Sequence, residues 1–425
     1  MKRFFKQGSF ARGAFTLMTG TAVAQAVAIA ISPILTRLYS PSDFGIFALF
    51  IALVTFLSTA ATGRYELAII LPENEDDADA LVILSTAIAT GFGLLLLVAL
   101  LATHGWAAAM LGHPEIDRWL FLVPVSVFLT GCYNALNYWL NRHGQYQRMS
   151  INRMLQSGLG GGLQLSLGFS AWGTAAGLIL GQFIAVVLTT AQIAVTFFRS
   201  CRLRDLKKLK TRMRHLALRY RSHPAHLLPA HLIGAAAMQL PVLAISGLYG
   251  PTTVGLYALA YRVMVMPTTL IANAIGDVYR QRATVLHREQ GDFRRLFLIT
   301  LATSTALAAA PVGIIVVIAP DLFAFVFGEP WRVAGDYARL LAIATLFQFA
   351  LTPIDKGALI VGATRYIMAW NMIRLVCFAG VVVAAWAFDL PFKQTLILFV
   401  AANVGVYVLD GMVEYRLASP RLTKP

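Results

Sequence analysis

The chain has 425 residues, of which 58% are hydrophobic and only 13% are charged. Soluble proteins carry about a quarter charged residues, so this composition excludes a soluble domain of this length and indicates an integral membrane protein. The formal net charge of +15 therefore needs a membrane explanation before a nucleic-acid one. The three cysteines, Cys132, Cys201 and Cys377, lie far apart with no zinc-binding spacing, and we predict neither a metal site nor a cofactor.

Twelve apolar segments are long enough to cross a bilayer, which takes about 20 residues. The basic start of the chain resembles the front of a signal peptide. Because the sequence that follows is equally apolar, we predict an uncleaved first span. The fifth segment is glycine-rich and polar, and we retain it because glycine is common where membrane helices pack closely. The predicted spans are residues 14–35, 44–63, 79–102, 119–140, 152–170, 173–197, 227–248, 253–276, 295–318, 336–358, 366–388 and 394–415.

Lysine and arginine are distributed unevenly between the two predicted sides of the membrane. With the N-terminus inside, 28 of the 35 fall in inner segments and five in outer segments. Because cytoplasmic loops are enriched in these residues, both termini are predicted to be cytoplasmic. Ten of the inner cations lie between Arg199 and Arg221, in a segment predicted to set the topology and to meet anionic lipid at ~1 kcal/mol per residue.

A twelve-residue pattern occurs twice, with a constant offset of 210 residues. Leu38–Leu49 reads "LYSPSDFGIFAL" and Leu248–Leu259 reads "LYGPTTVGLYAL". The copies follow the first and the seventh span, so they predict a parallel repeat of two six-helix bundles. A chance match between two interfacial turns is the alternative. The predicted domains are residues 1–198, a basic cytoplasmic linker at 199–225, and residues 226–425. Gly45 and Gly255 are predicted to open the next helices.

Two six-span halves without an extramembrane domain are typical of a secondary transporter. The chain contains no GxxxxGK[ST] motif for nucleotide binding. Every loop apart from the basic linker is short, and the longest predicted outer stretch, Ala319 to Gly335, cannot hold a catalytic domain. We therefore predict that the protein is not an enzyme.

Two arginines lie inside predicted spans, where an ionised side chain costs at least about 2.5 kcal/mol. Arg262 shares a small, polar face of the eighth span with Asn273, which predicts a position beside a cavity. A structural arginine that caps carbonyls or pairs with a neighbouring helix is the alternative. Arg374 lies near the predicted cytoplasmic end of the eleventh span, where its side chain either serves a ligand or reaches the interface.

The fourth span carries one stripe of polar side chains, spaced by three or four residues. Such a stripe provides hydrogen bonds to sugar hydroxyls or binds helices to each other. We assign Gln25 in the first span to the same group of candidate sugar contacts. The stripe consists of Ser126, Thr130, Asn134, Asn137 and Asn141.

Acidic residues gather near the predicted cytoplasmic ends of the spans, mostly beside a basic residue. They are either solvated helix-end charges or ion pairs that break and remake during alternating access. Asp410 and Glu414, one turn apart, are also candidates for binding a coupling proton. The candidates for gating or coupling are Glu66, Asp277, Asp355, Asp410 and Glu414.

Two segments carry a resemblance to a known family. "LTRLYSPSDFGIFALF" after the first span and "GRYELAIILPENEDDADAL" after the second resemble bacterial Wzx-type polysaccharide flippases of the multidrug/oligosaccharidyl-lipid/polysaccharide (MOP) exporter superfamily. The resemblance covers the first three spans well, and the whole chain by span count and half-repeat. It implies two six-helix bundles arranged as a V about a central cavity, as in MATE transporters.

The implied activity is movement of an undecaprenyl-diphosphate-linked oligosaccharide from the inner to the outer leaflet of the bacterial inner membrane, for O-antigen, capsule or exopolysaccharide. Arginine matches phosphate geometry, so Arg262, Arg374 and Arg64 are the candidate diphosphate-binding residues. The implied partners are membrane lipid, a polysaccharide polymerase and a chain-length regulator, with no nucleic acid.

Two alternatives from other classes stay open. A multidrug or toxin antiporter of the same fold would favour acids deep in the N-terminal bundle to bind cations. A polysaccharide polymerase or lipid-sugar transferase would favour a large outer loop or an acidic catalytic motif. Lipid II flippases of the same superfamily have two further C-terminal helices, and the twelve predicted spans weigh against that role.

Overall fold

The computed structural model describes residues 7–103, 105, 116–170, 173–201 and 206–419. Every regular element in these ranges is helical, which confirms the all-α prediction. Short 3₁₀, α- and π-helical turns connect the longer helices. The longer helices are α1 Gln7–Leu38, α2 Pro41–Ser58, α3 Glu75–Ala102, α4 Leu122–Arg142, α5 Tyr146–Gly168, α6 Ala175–Ser200, α7 Leu206–Arg219, α8 Leu228–Tyr249, α9 Pro251–Gln290, α10 Arg294–Phe327, α11 Arg332–Leu351, α12 Thr364–Ala387 and α13 Phe392–Leu417.

Eleven helical segments in the described part of the chain are long and apolar enough to cross a membrane. They correspond to all the predicted spans except the fifth. The fifth is the helix α5, which has 23 residues and would extend ~35 Å at 1.5 Å per residue. Its length suits a span although its composition is polar, and the chain is a multi-pass membrane protein.

The polar residues of α5 form hydrogen bonds with neighbouring helices. Ser157 Oγ donates to the carbonyl of Ala24 on α1 at 2.6 Å. Gln164 Nε2 donates to the carbonyl of Leu178 on α6 at 3.0 Å. Gly181 lets α6 approach closely, because a Cβ there would lie 2.8 Å from the backbone nitrogen of Gln164. Hydrogen bonding inside the protein thus offsets the cost of these groups in a membrane.

The two copies of the repeated pattern form similar turns. Each has a tyrosine hydroxyl that donates to a backbone carbonyl far along the chain in its own half. Tyr39 donates to Gln164 within α5 at 2.6 Å, and Tyr249 donates to Leu390 just before α13 at 2.8 Å. Burial, with a smaller contribution from Asp43, raises the pKa of Tyr39 to about 12, so its hydroxyl stays a donor.

The helices after these turns begin earlier than predicted. They start at Pro41 and Pro251, four residues before Gly45 and Gly255. Proline is favoured at the first helical position because its ring presets φ and no amide donor is lost there. The prediction that the glycines open the helices was therefore wrong.

Two further boundaries differ from prediction. The helix α9 has 40 residues and continues well past residue 276, so it would be ~60 Å long. The helix α10 runs through Pro320 to Phe327. The stretch predicted as the longest outer loop is therefore mostly helical, with only a 3₁₀ turn at Glu329–Trp331 before α11.

The chain divides into two compact units, Met1–Ala235 and Ala236–Pro425. Helices α1 to α6 lie in the first unit and α9 to α13 in the second, and α8 crosses the boundary. The core of the first unit includes Trp139, Leu81 and Phe197, and Leu216 of α7 packs into it. The core of the second includes Tyr279, Phe293 and Ile354.

Candidate functional site

The first unit contains a polar cavity of about 370 Å³. Its walls come from α2, α4, α5, α6 and the turn that follows α2. Within the described residues, no aspartate or glutamate lines it. The polar lining residues are Thr55, Ser58, Thr59, Arg64, Ser126, Thr130, Tyr133, Asn134, Gln156 and Gln182.

Arg64 reaches this cavity from a strained turn. Gly63 and Arg64 have φ angles of 59° and 64°, a left-handed conformation that costs about 1–2 kcal/mol for a residue with a side chain. Arg64 Nη1 donates to Glu66 Oε1 at 3.2 Å. Thr62 Oγ1 donates to the other carboxylate oxygen of Glu66, which is only 2% exposed. Glu66 therefore orients Arg64 from behind the cavity wall.

Several polar atoms around the cavity are buried without a partner. Arg64 Nε, Ser58 Oγ and Ser126 Oγ have no hydrogen-bond partner among the described residues. Native proteins satisfy most buried polar groups with protein or water partners. The cavity can therefore bind a ligand with many hydrogen-bonding groups. Arg64, the one cationic side chain among the described lining residues, favours negative charge there.

Only part of the predicted polar stripe of α4 lines the cavity. Ser126, Thr130 and Asn134 line the cavity, whereas Asn137 and Asn141 do not. All five share one side of the helix, but Asn141 lies ~10 Å beyond Asn134 at 1.5 Å per residue. Asn137 Nδ2 instead donates to the carbonyl of Tyr133 at 3.2 Å.

Two glutamines of the cavity were not predicted. Gln156 lies on the polar α5 and Gln182 within the apolar α6. A Cβ at Gly160 would lie 3.1 Å from Gln182 Oε1, so the glycine makes room for that amide. The isolated glutamine in an apolar span was the sequence signal that could have identified Gln182. Gln25, which was predicted, is half-buried on α1 and does not line the cavity.

The second unit contains a cluster of carboxylates near the end of α13. Asp410 and Glu414, one turn apart, are 4% and 2% exposed. Asp410 accepts a hydrogen bond from the Tyr366 hydroxyl at 2.6 Å. Glu414 accepts one from the backbone amide of Ala358 at 3.1 Å.

Asp355 belongs to the same cluster. It interacts electrostatically with both Asp410 and Glu414. Its carboxylate lies 2.5 Å from Lys356 Nζ, and both side chains are about one-third exposed. The structure therefore brings together three of the five acids predicted for gating or coupling. Glu66 belongs to the first unit.

Arg374 lies in an aromatic environment next to this cluster. Its guanidinium carbon is 5.7 Å from the ring centroid of Phe378 and 5.8 Å from that of Tyr407. It interacts electrostatically with Asp355 and Asp410. Its Nε is buried and has no hydrogen-bond partner in the described part of the chain. Arg374 can therefore provide charge to either a carboxylate or an anionic ligand.

The remaining predicted residues lie on α9. Arg262 is half-buried and Asn273 is exposed. Asp277 is 64% exposed and pairs with Arg280 at 3.4 Å, three residues later on the same helix. Because α9 continues to Gln290, Asp277 does not lie at the end of a helix. An exposed pair of this kind contributes little to stability.

The sequence matches the model of a known protein family. The family described as polysaccharide biosynthesis protein matches residues 34–336. A curated relative, the succinoglycan biosynthesis transport protein ExoT of Rhizobium meliloti (strain 1021), is 24% identical over 406 residues, which cover 92% of this chain and 77% of that protein.

Solved membrane transporters share the fold. A multidrug resistance MATE family transporter of the MOP superfamily in its inward-facing conformation has a TM-score of 0.59 and 16% identity, with 96% of each chain covered. A MOP superfamily transporter from Pyrococcus furiosus has a TM-score of 0.55 and 17% identity, covering 97% of this chain and 96% of that one. With the family match over most of the chain, these likenesses confirm the predicted resemblance: the chain belongs to the polysaccharide biosynthesis protein family and has the MATE fold of the MOP superfamily.

Proposed function

We propose that this protein is a flippase that moves an undecaprenyl-diphosphate-linked oligosaccharide from the inner to the outer leaflet of a bacterial inner membrane. The observation that carries the proposal is the polar cavity of the first unit, with its hydroxyl and amide lining, one arginine and no acidic lining residue among those described. A sugar chain needs many hydrogen-bond partners. The diphosphate needs a cation, and arginine can bind it bidentately.

The family and the succinoglycan transport relative support the same substrate class and a transport role without catalysis. In this proposal Arg64 binds the diphosphate, and Arg262 and Arg374 take it up at later stages of transport. Asn134 binds the sugars in the cavity. The other predicted sugar contacts do not line it and are assigned only a minor part in sugar binding; they are Asn137, Asn141, Asn273 and Gln25. Both termini are cytoplasmic, since the inner segments carry the excess of lysine and arginine.

The carboxylate cluster is assigned a separate task in this proposal. Two buried carboxylates one turn apart repel each other when both are charged, and each has a neutral donor, Tyr366 for Asp410 and Ala358 for Glu414. We assign Asp410 and Glu414 to binding and releasing a coupling proton, with Asp355 as their partially exposed link to water. Glu66 positions Arg64, and Asp277 serves as an inner-side ion pair.

The test is a leaflet assay with purified protein in vesicles. A polyprenyl-diphosphate oligosaccharide is placed in both leaflets, and a glycosidase outside removes the sugars that reach it. The proposal predicts complete cleavage with the protein and about half without it. Incomplete cleavage with protein, together with efflux of an organic cation, would instead identify the multidrug antiporter of the same fold.

A further inference from the structure

The basic helix α7 packs against the first unit through its apolar side. Leu209, Met213 and Leu216 contact the core of that unit, and Leu216 is only 1% exposed. Amphipathic helices that anchor to membranes bury their apolar face among lipids. Because protein already covers this face of α7, its apolar residues are not available for insertion into lipid.

Polar contacts hold α7 in the same position. Arg212 Nη1 lies 2.9 Å from Asp76 Oδ2, and its Nε lies 3.3 Å from Asp77 Oδ1. The Tyr65 hydroxyl donates to the carbonyl of Ala217 at 3.0 Å, and burial raises the pKa of Tyr65, so this donor keeps its proton. Apolar and polar contacts together therefore hold α7 against the first unit.

The opposite side of α7 and the residue after it carry positive charge. Lys210, Arg214, Arg219 and Arg221 are all exposed. Leu218 is also exposed, but one leucine offers too little apolar surface for membrane binding. The ion pairs that dock the helix do not use these four cations. In the described contacts, Arg212 is the arginine of α7 that pairs with the acids of α3.

The docked helix lies next to the turn that supplies the cavity's arginine. Tyr65, which bonds α7, directly follows Arg64 in the chain. A ligand attracted to the outer side of α7 is therefore brought to the part of the protein where Arg64 meets the cavity. A group of cations near a site raises the local concentration and the association rate of anionic ligands.

We propose that Lys210, Arg214, Arg219 and Arg221 form a collecting surface, which captures the diphosphate of the lipid-linked substrate before it enters the cavity. This inference rests on the proposed function. Because the attraction acts through solvent, it is strong at low ionic strength and is screened at 1 M salt, where the Debye length is about 3 Å.

The experiment measures association rather than transport. The probe is a water-soluble, short-chain prenyl diphosphate, mixed by stopped flow with the protein in nanodiscs of neutral phospholipid. The variant changes Lys210, Arg214, Arg219 and Arg221 to Gln and leaves Leu209, Met213, Leu216 and Arg212 unchanged, so that the helix stays docked. Its association rate is expected to fall about tenfold at low salt and to equal that of the wild type at 1 M salt.

Two control proteins accompany this variant. Changing the exposed Arg282, Arg288, Arg295 and Arg416 to Gln removes the same charge from the second unit and is expected to leave the rate within about twofold, because the charges lie outside the collecting surface. Replacing Arg214, Arg219 and Arg221 by Lys keeps the charge and is expected to keep the rate.

Three results would overturn the inference. They are an unchanged rate in the Gln variant, an equal loss in the second-unit control, and a loss that persists at 1 M salt. A loss that occurs only in nanodiscs containing acidic phospholipid would also overturn it, since the surface would then bind bilayer lipid. The leaflet assay on the wild type tests the proposed function separately, because association can be salt-dependent even where no flipping occurs.

Discussion

The polar cavity of the first unit and the carboxylate cluster of the second contain opposite kinds of charge. Among the described residues, the cavity lining has one arginine together with neutral hydroxyl, amide and apolar side chains. The cluster has Asp355, Asp410 and Glu414, with Lys356 and Arg374 as their cationic neighbours. In the proposed function, the first region therefore binds a negatively charged ligand and the second binds a proton.

This difference shows that the 210-residue repeat preserves the helical scaffold of the two halves but not their charged residues. The repeated turns keep a tyrosine with the same kind of hydrogen bond. The charged residues do not follow the 210-residue offset, which pairs Arg64 with Ala274 and Asp410 with Ser200. Two halves with a common scaffold can thus divide the work, one binding the substrate and the other binding the coupling ion.

The largest expected effect follows from removing the cation of the cavity. Arg64→Ala should reduce flipping in the leaflet assay about a hundredfold, since a hydrogen-bonded charge contributes up to about 3 kcal/mol. Arg64→Lys should restore part of the rate, because a point charge replaces a bidentate one.

The control for Arg64 separates its charge from its backbone. Asn tolerates the left-handed conformation better than most residues, so Arg64→Asn keeps the turn and loses the charge. It should be as inactive as the Ala variant while the protein remains as abundant as the wild type. Normal flipping by the Asn variant would show that only the turn matters.

The second expected effect concerns the cluster. Changing both Asp410 to Asn and Glu414 to Gln keeps the hydrogen-bonding shape and removes the titratable groups. Flipping should lose its response to an imposed pH gradient, while exchange without a gradient continues. A full response in this variant would exclude the cluster as the proton site.

A packing comparison is expected to give a smaller effect. A Cβ at Gly357 would collide with Glu414 Oε2 in the cluster, whereas one at Gly160 would meet Gln182 Oε1 at 3.1 Å in the cavity. Gly357→Ala should destabilise the protein by about 1–3 kcal/mol, and Gly160→Ala by less than about 1 kcal/mol, since an amide side chain can shift. Unfolding in detergent measures both, and the reverse order would contradict the tight packing of Glu414.

Much of the fold could be predicted from the sequence because membrane spans are encoded locally. Eleven spans are evident from length and composition. The polar α5 was predicted from its glycines, and its hydrogen bonds from Ser157 and Gln164 to adjacent helices explain how a polar helix suits that position. Helix ends were harder to predict, because Pro41, Pro251 and Pro320 act through backbone geometry that hydrophobicity does not report.

The site could be predicted only in part. Periodicity places Asn134 and Asn141 on one side of α4, but it contains no information on where along the helix a cavity begins and ends. Gln156 and Gln182 come from other helices, and their convergence depends on the tertiary packing. The proposed collecting surface could not be predicted from the sequence for the same reason, because the docking of α7 depends on contacts with α3 and with Tyr65.

The smallest expected effect on flipping concerns the polar stripe of α4, of which only part lines the cavity. Asn134→Ala should slow flipping about tenfold, since the loss of a hydrogen bond to the sugar costs about 1.4 kcal/mol. Asn141→Ala should change the rate by less than about twofold, because Asn141 does not line the cavity. Equal losses in the leaflet assay would show that the polar path extends along the whole stripe.

The central claim is that the cavity of the first unit selects an anionic ligand, and Asn134→Asp tests it most directly. This change adds a carboxylate to the lining with almost no change in shape. Binding of a short-chain prenyl diphosphate and of an organic cation can be measured by titration calorimetry on both proteins. The account predicts that the wild type binds the diphosphate and not the cation, and that the Asp variant loses diphosphate binding at least about tenfold. Equal diphosphate affinity in the two proteins, or cation binding by the wild type, would contradict it.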